Sequence, residues 1–186
     1  RLILGDQLNP RHTWFEQRRD DVLYVLMEMR QETDYVLHHA QKVLAIFAAM
    51  RELARQLRAA GHRVHYLTID DPDNRQSLPD NLDALLLRFN VRAFEYQAPD
   101  EWRLDAQLAA YARRQSIPCR MVESEHFYTL RDDAARLFST RKQWVMEHFY
   151  RHMRVQHRVL IDGAGRPVGG QWNFDHDNRK PWPGLP

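Results

Sequence analysis

Residues 22–61 read VLYVLMEMRQETDYVLHHAQKVLAIFAAMRELARQLRAAG, and the fold follows from how this stretch divides. Val22, Leu23, Tyr24, Val25 and Leu26 form an unbroken apolar run of strand length, the pattern of a strand buried on both faces. It stops at Met27, Glu28, Met29, Arg30, Gln31 and Glu32, after which Thr33 or Asp34 can cap a helix. Val36, Val43, Ile46, Phe47, Met50, Leu53, Ala54 and Leu57 recur at steps of three and four until Gly61 supplies a left-handed stop. Helix from Tyr35 to Ala60 would be a rod of roughly 39 Å, long enough to cross an α/β domain. In open α/β sheets ligands bind beyond the carboxyl ends of the strands. Glu28 and Glu32 fall there.

Upstream, Leu2, Ile3 and Leu4 predict the first buried strand, with Gly5, Asp6, Gln7 and Leu8 as its carboxyl-end turn. Gly5 permits close backbone approach, and Asp6 and Gln7 supply acceptors and donors. Tight turns with capping side chains use the same residues, and no G-x-G-x-x-G follows the strand, so the dinucleotide fingerprint is absent. Residues 9–21 read as a polar loop or brief helix anchored by Trp14 and Phe15. Downstream, strands are predicted at Arg63 to Ile69, Arg92 to Tyr96 and Pro118 to Val122. Helices separate them, one capped by Asn81 and one by Asp100 and running from Glu101 to Arg114. Regular alternation of strand and helix demands parallel pairing with right-handed crossovers. The expectation for residues 1–122 is a doubly wound, Rossmann-like sheet of five parallel strands with helices on both faces.

From Glu123 the pattern changes. Residues 123–186 are expected to form a helical linker, with helices at Thr129 to Ser139 and Thr140 to His157 and a hairpin or loop from Arg158 to Gly170. The glycines at 163, 165, 169 and 170 lack the strand-to-helix context of a phosphate loop. His148 and His152 have zinc-gripping spacing, but no third ligand accompanies them. His38 and His39 read as ion-pair partners of Glu32 and Asp34. No serine or Cys119 lies in a nucleophile elbow, so no catalytic residue is assigned. Arg141, Lys142, Arg151, Arg154 and Arg158 read as a basic stripe, a solvated face with phosphate contact as the alternative.

With 27 basic residues against 25 acidic ones, the chain is close to balance, which argues against wholesale coating of nucleic acid. The single cysteine excludes an internal disulfide, and no run approaches the roughly 18 apolar residues of a membrane span. A cytoplasmic protein with no membrane partner is expected. The start at Arg1 and the Pro181 to Pro186 tail suggest a fragment of a longer chain.

Three blocks, LILGDQL at 2–8, ETDYVLHHAQKVLAIFAAMR at 32–51 and GGQWNFDHDNRK at 169–180, occur in an order that resembles the amino-terminal part of the photolyase-related proteins. These form the iron–sulfur bacterial branch of the cryptochrome and photolyase family. Glu101-Trp102-Arg103 and the stretch from Arg141-Lys142 to Tyr150-Arg151 fit the same pattern, and the resemblance covers essentially the whole chain.

The resemblance implies a light-driven DNA repair flavoprotein or a related photoreceptor. FAD and a 4Fe-4S cluster would belong to a carboxyl-terminal domain that these residues do not include, and damaged DNA would be bound by the full-length protein. The region that corresponds to this chain holds a ribityl-lumazine antenna in that branch. Gly5, Asp6, Gln7, Met27, Glu28, Glu32 and Ile46 match its chromophore pocket by position. Energy transfer needs position and orientation and no acid, base or nucleophile. Two other readings use the same residues: a nucleotide-binding α/β enzyme, with Asp6, Glu28 and Asp70 on ribose or magnesium, and a docking domain without a ligand.

Overall fold

The computed structural model describes residues 1–140, 142–175 and 184, and the chain divides into two compact units, Arg1–Tyr128 and Thr129–Pro186. The first unit is mixed α/β with parallel strands. Strand β1 (Leu23–Met27) leads into a single helical turn, α1 (Arg30–Thr33), and then the long helix α2 (Ala40–Ala59). Strand β2 (Arg63–Leu67), helix α3 (Leu78–Arg88), strand β3 (Phe94–Gln97), helix α4 (Trp102–Arg113) and strand β4 (Cys119–Val122) follow. β1 pairs with β2 and β3 with β4, both in parallel.

The expected five regular strands reduce to these four, in two ladders. Leu2 makes a single parallel bridge to Val25 on one side and to Tyr96 on the other, so the first segment joins the ladders through one residue. Its backbone is committed on both sides: Leu2 N–H donates to the Glu95 carbonyl at 2.9 Å and Ile3 N–H to that of Val25 at 3.0 Å. The segment turns away at Gly5, too soon for a regular strand.

Alternation along β1 sorts the core. Val25 and Met27 face Leu78, Leu82 and Leu85 of α3 and Leu104, Leu108 and Tyr111 of α4. Tyr24 and Leu26 face Met50, Leu53, Ala54 and Leu57 of α2, together with Trp14 from a short 3-10 turn. Helices therefore cover both faces.

Helix α2 begins five residues later than its apolar spacing predicts and spans about 30 Å. Val36, which the spacing assigns to the buried stripe, is exposed, as are Tyr35 and Leu37; three consecutive apolar residues do not share a helical face. The cap is His39, whose Nδ1 accepts from Gln41 N–H at 3.2 Å, so this histidine is no ion-pair partner of the acids. His38 instead lies against the Tyr35 ring and within 3.4 Å of Lys42 Nζ. Asn81 is likewise inside α3 and not its cap, because Pro79 suits the first turn and the helix starts earlier. Buried Asn81 accepts from Arg75 N–H at 2.7 Å and donates to Asn74 Oδ1 at 2.9 Å. At α4, Glu101 caps Arg103 and Leu104 N–H, and Asp100 pairs with His126 Nδ1 at 2.8 Å.

The second unit holds α5 (Asp133–Leu137) and α6 (Met146–Gln156), both shorter than predicted. Ile161 and Pro167 form an antiparallel bridge, and Asp162 accepts from Ala164 and Arg166 N–H to close the hairpin. The basic stripe is not uniformly solvated. Arg154 is buried, donates to the Val159 and Leu160 carbonyls at 3.1 and 2.7 Å, and lies over the Trp172 ring, while Arg151 pairs with Glu147. Arg141 and Trp182 lie outside the described residues.

Candidate functional site

The apolar run of β1 ends in an acid, and the two acids that follow separate sharply. Glu28 is fully buried. Arg51, from α2, grips it with Nε at 2.6 Å and Nη2 at 2.9 Å, Tyr66 donates its hydroxyl at 2.7 Å, and Ile69 N–H donates at 2.9 Å. Burial pushes the Glu28 carboxyl up, but the hydrogen bonds from Arg51, Tyr66 and Ile69 outweigh it and hold the group below the usual carboxylate range. Burial and the adjoining Glu28 also raise the Tyr66 hydroxyl. This cluster clamps the ends of β1 and β2 to the middle of α2 and leaves Glu28 little capacity for a ligand.

Gln7 has a comparable task. Fully buried, it accepts from Leu4 N–H at 3.0 Å and donates to the Gln97 and Ala98 carbonyls at 3.2 and 3.1 Å, which ties the first turn to the end of β3.

The other five residues singled out in the sequence, Gly5, Asp6, Met27, Glu32 and Ile46, line one cavity of about 270 Å³ at the carboxyl ends of the first segment and β1. Its floor is Met27, Leu4 and Met50, and its long wall is Val43, Ile46 and Phe47 of α2. Gly5 makes this packing possible: a Cβ there would stand 3.2 Å from Met50 Sδ and 3.3 Å from Ile46 Cγ2. The volume lies near the lower end of small-ligand sites, and apolar walls with a few polar groups are the usual composition.

The rim is polar. Glu32 receives both terminal nitrogens of Arg103, Nη1 to Oε1 at 3.2 Å and Nη2 to Oε2 at 2.7 Å, and Oε1 also accepts from Gln31 Nε2 at 3.0 Å. The Arg103 guanidinium lies over the Tyr35 ring at 4.4 Å. Asp6 is exposed at the lip, yet desolvation by the surrounding protein raises its carboxyl above the usual range, with Asp100 and Glu32 adding repulsion and His126 opposing them. His38 and Lys42 complete the rim from the start of α2. Arg103, Tyr35, His38 and Lys42 carry no separate site signal in the sequence. All four fall in blocks that the family resemblance marks out, the arginine in Glu101-Trp102-Arg103 and the other three in residues 32–51, but nothing within those blocks sets them apart from their neighbours. Among the described residues no three metal-ligating side chains gather, and no helix is long and apolar enough to cross a membrane.

The first unit is thus a parallel α/β unit with an apolar cavity beyond its strand ends, and the comparisons give the family of the chain. The family model of the deoxyribodipyrimidine photo-lyase-related proteins matches residues 1–185, and the chain belongs to that family. A (6-4) photolyase of Agrobacterium fabrum (strain C58 / ATCC 33970) is 36% identical over 182 residues. The match covers 97% of this chain and 36% of that protein, so the chain spans about a third of the length of the curated relative.

Proposed function

We propose that the first unit is the antenna-chromophore-binding domain of a light-driven DNA repair photolyase or related cryptochrome photoreceptor, and that it holds a ribityl-lumazine. The observation that carries this reading is the cavity of about 270 Å³ in which Gly5, Asp6, Met27, Glu32 and Ile46 meet, in a chain of the photolyase-related family. Its residues fit the group. Met27, Ile46 and Phe47 offer apolar surface for a flat ring, the Gly5 turn approaches it closely, and Asp6, Thr33 and Lys42 can meet ribityl hydroxyls. Such a pigment, when bound, supplies absorption in the near ultraviolet and blue. The protein's part is to bind, orient and keep water from the ring.

In this reading the two ladders and the Leu2 bridge act as one doubly wound, Rossmann-like layer. Excitation passes to FAD in the remainder of the parent protein, which also carries the 4Fe-4S cluster, binds damaged DNA and performs the photolyase reaction. The second unit serves as linker and docking surface for that remainder; Trp144 and Phe174 are exposed on it. A nucleotide-binding enzyme built on Asp6, Glu28 and Asp70 is weakened because Glu28 is spent on Arg51, Tyr66 and Ile69. Titrating the purified chain with 6,7-dimethyl-8-ribityllumazine tests the proposal: saturable binding with a shifted absorption band is expected, and no binding by a folded sample refutes it.

A further inference from the structure

We propose that Arg103 determines which rings the cavity accepts, by donating a hydrogen bond from Nε to a ring carbonyl of the bound pigment. This rests on the antenna reading and adds to it the part of the ligand that is read and the residue that reads it.

Arg103 is the second residue of α4, and the Glu101 cap fixes its backbone N–H at 2.9 Å. The guanidinium meets Glu32 end-on, through Nη1 and Nη2, and its flat face lies over Tyr35. Glu101 comes within 3.4 Å of Nη2. Nε is left over: it is buried and, among the described residues, has no hydrogen-bond partner. A buried donor without a partner is costly, more so on a charged group, and the arginine borders a cavity with apolar walls.

Among the groups a pigment offers, a ring carbonyl suits this donor best. It is a planar acceptor carried on the flat part of the ligand, and its lone pairs lie in the ring plane. Glu32 has already spent three of its roughly four acceptor positions on Gln31 and Arg103, so it contributes little beyond orienting the fork. The class of ligand implied is a fused heteroaromatic ring bearing oxo groups, of which lumazines and flavins are members. An aromatic ring of the same size without a carbonyl leaves Nε as it stands, gains no hydrogen bond from it and binds more weakly.

Two measurements on the whole chain test this. In the first, 6,7-dimethyl-8-ribityllumazine is added to protein carrying ¹⁵N-arginine. The Nε–H resonance of Arg103 is expected to move downfield and to gain protection from exchange. A resonance unmoved at saturation overturns the assignment, whatever any variant does. In the second, R103K keeps the charge on Glu32 but lacks the Nε donor. It is expected to weaken pigment binding about tenfold or more and to raise the carbonyl stretching frequency of bound pigment in the Raman spectrum. Binding within about twofold of the parent, with an unmoved carbonyl band, overturns the role of Arg103 and leaves the antenna reading standing. Absence of saturable binding by the unsubstituted chain overturns both.

Discussion

Arg51 closes on the carboxylate of Glu28 with two hydrogen bonds, at 2.6 and 2.9 Å, although Glu28 is fully buried and the Arg51 side chain is half exposed. An acid at the end of a buried strand is thereby neutralised from a helix 23 residues away. The pair secures the wall that α2 presents to the candidate site, without lining the cavity.

Glu28→Gln is therefore a stability variant. It removes the charge that Arg51 and Tyr66 bind, and the expected loss is about 1.5–3 kcal/mol in denaturant unfolding. Pigment affinity at saturating folding conditions stays at the parental level. A variant as stable as the parent contradicts the clamp.

The same group sets a pH dependence. Its carboxyl is held below the ordinary 4.5, so its stabilising contribution is complete above that value and is lost as pH falls through the lowered folded value. Thermal midpoints measured from about pH 6 down to about pH 3 fall more steeply for the parent than for Glu28→Gln. Parallel curves contradict the assignment. Comparing the two proteins removes the contribution of other depressed acids such as Glu52, which Arg55 and Gln56 hold at about 2.

Much of this was legible in the chain and some was not, for reasons that particular residues make clear. The run from Val22 to Leu26 signals a buried parallel strand because it is apolar at every position, and β1 (Leu23–Met27) takes the same stretch shifted by one residue. The first segment has the same signature, yet only Leu2 bridges, because whether a short apolar run becomes a strand depends on where its neighbours turn. Periodicity located α2 but not its start, since Val36 fits the spacing from the exposed side. For the site, Gly5, Asp6, Met27, Glu32 and Ile46 converge on one cavity. Glu28 and Gln7 do not line it, because an acceptor near strand ends looks the same in sequence whether it faces a ligand or an arginine from another element. That partner is a tertiary fact.

Glu32→Ala separates rim from core. Both Glu32 and Arg103 are about a third exposed, so losing the pair costs about 1 kcal/mol or less. Pigment binding is expected to weaken far more than stability, because Arg103 loses the partner that orients it. Equal pigment affinity in variant and parent contradicts a rim role for Glu32.

In the second unit, Arg154→Ala removes the donor to the Val159 and Leu160 carbonyls and the cation beneath Trp172. Hydrogen exchange across residues 157–168 is expected to rise, with a local loss of about 1.5–3 kcal/mol. Unchanged protection there shows that Arg154 does not hold the turn.

The antenna proposal meets its most direct test in a paired titration of the parent chain and Ile46→Trp with 6,7-dimethyl-8-ribityllumazine, followed by absorption and checked by thermal unfolding. Ile46 borders a cavity and is only partly buried, so an indole there should occupy ligand space at a stability cost below the roughly 1–3 kcal/mol of overpacking a filled core. The account predicts saturable binding by the parent, and a folded Ile46→Trp that binds no pigment. A parent that does not bind, or a folded Ile46→Trp that binds as tightly as the parent, contradicts it.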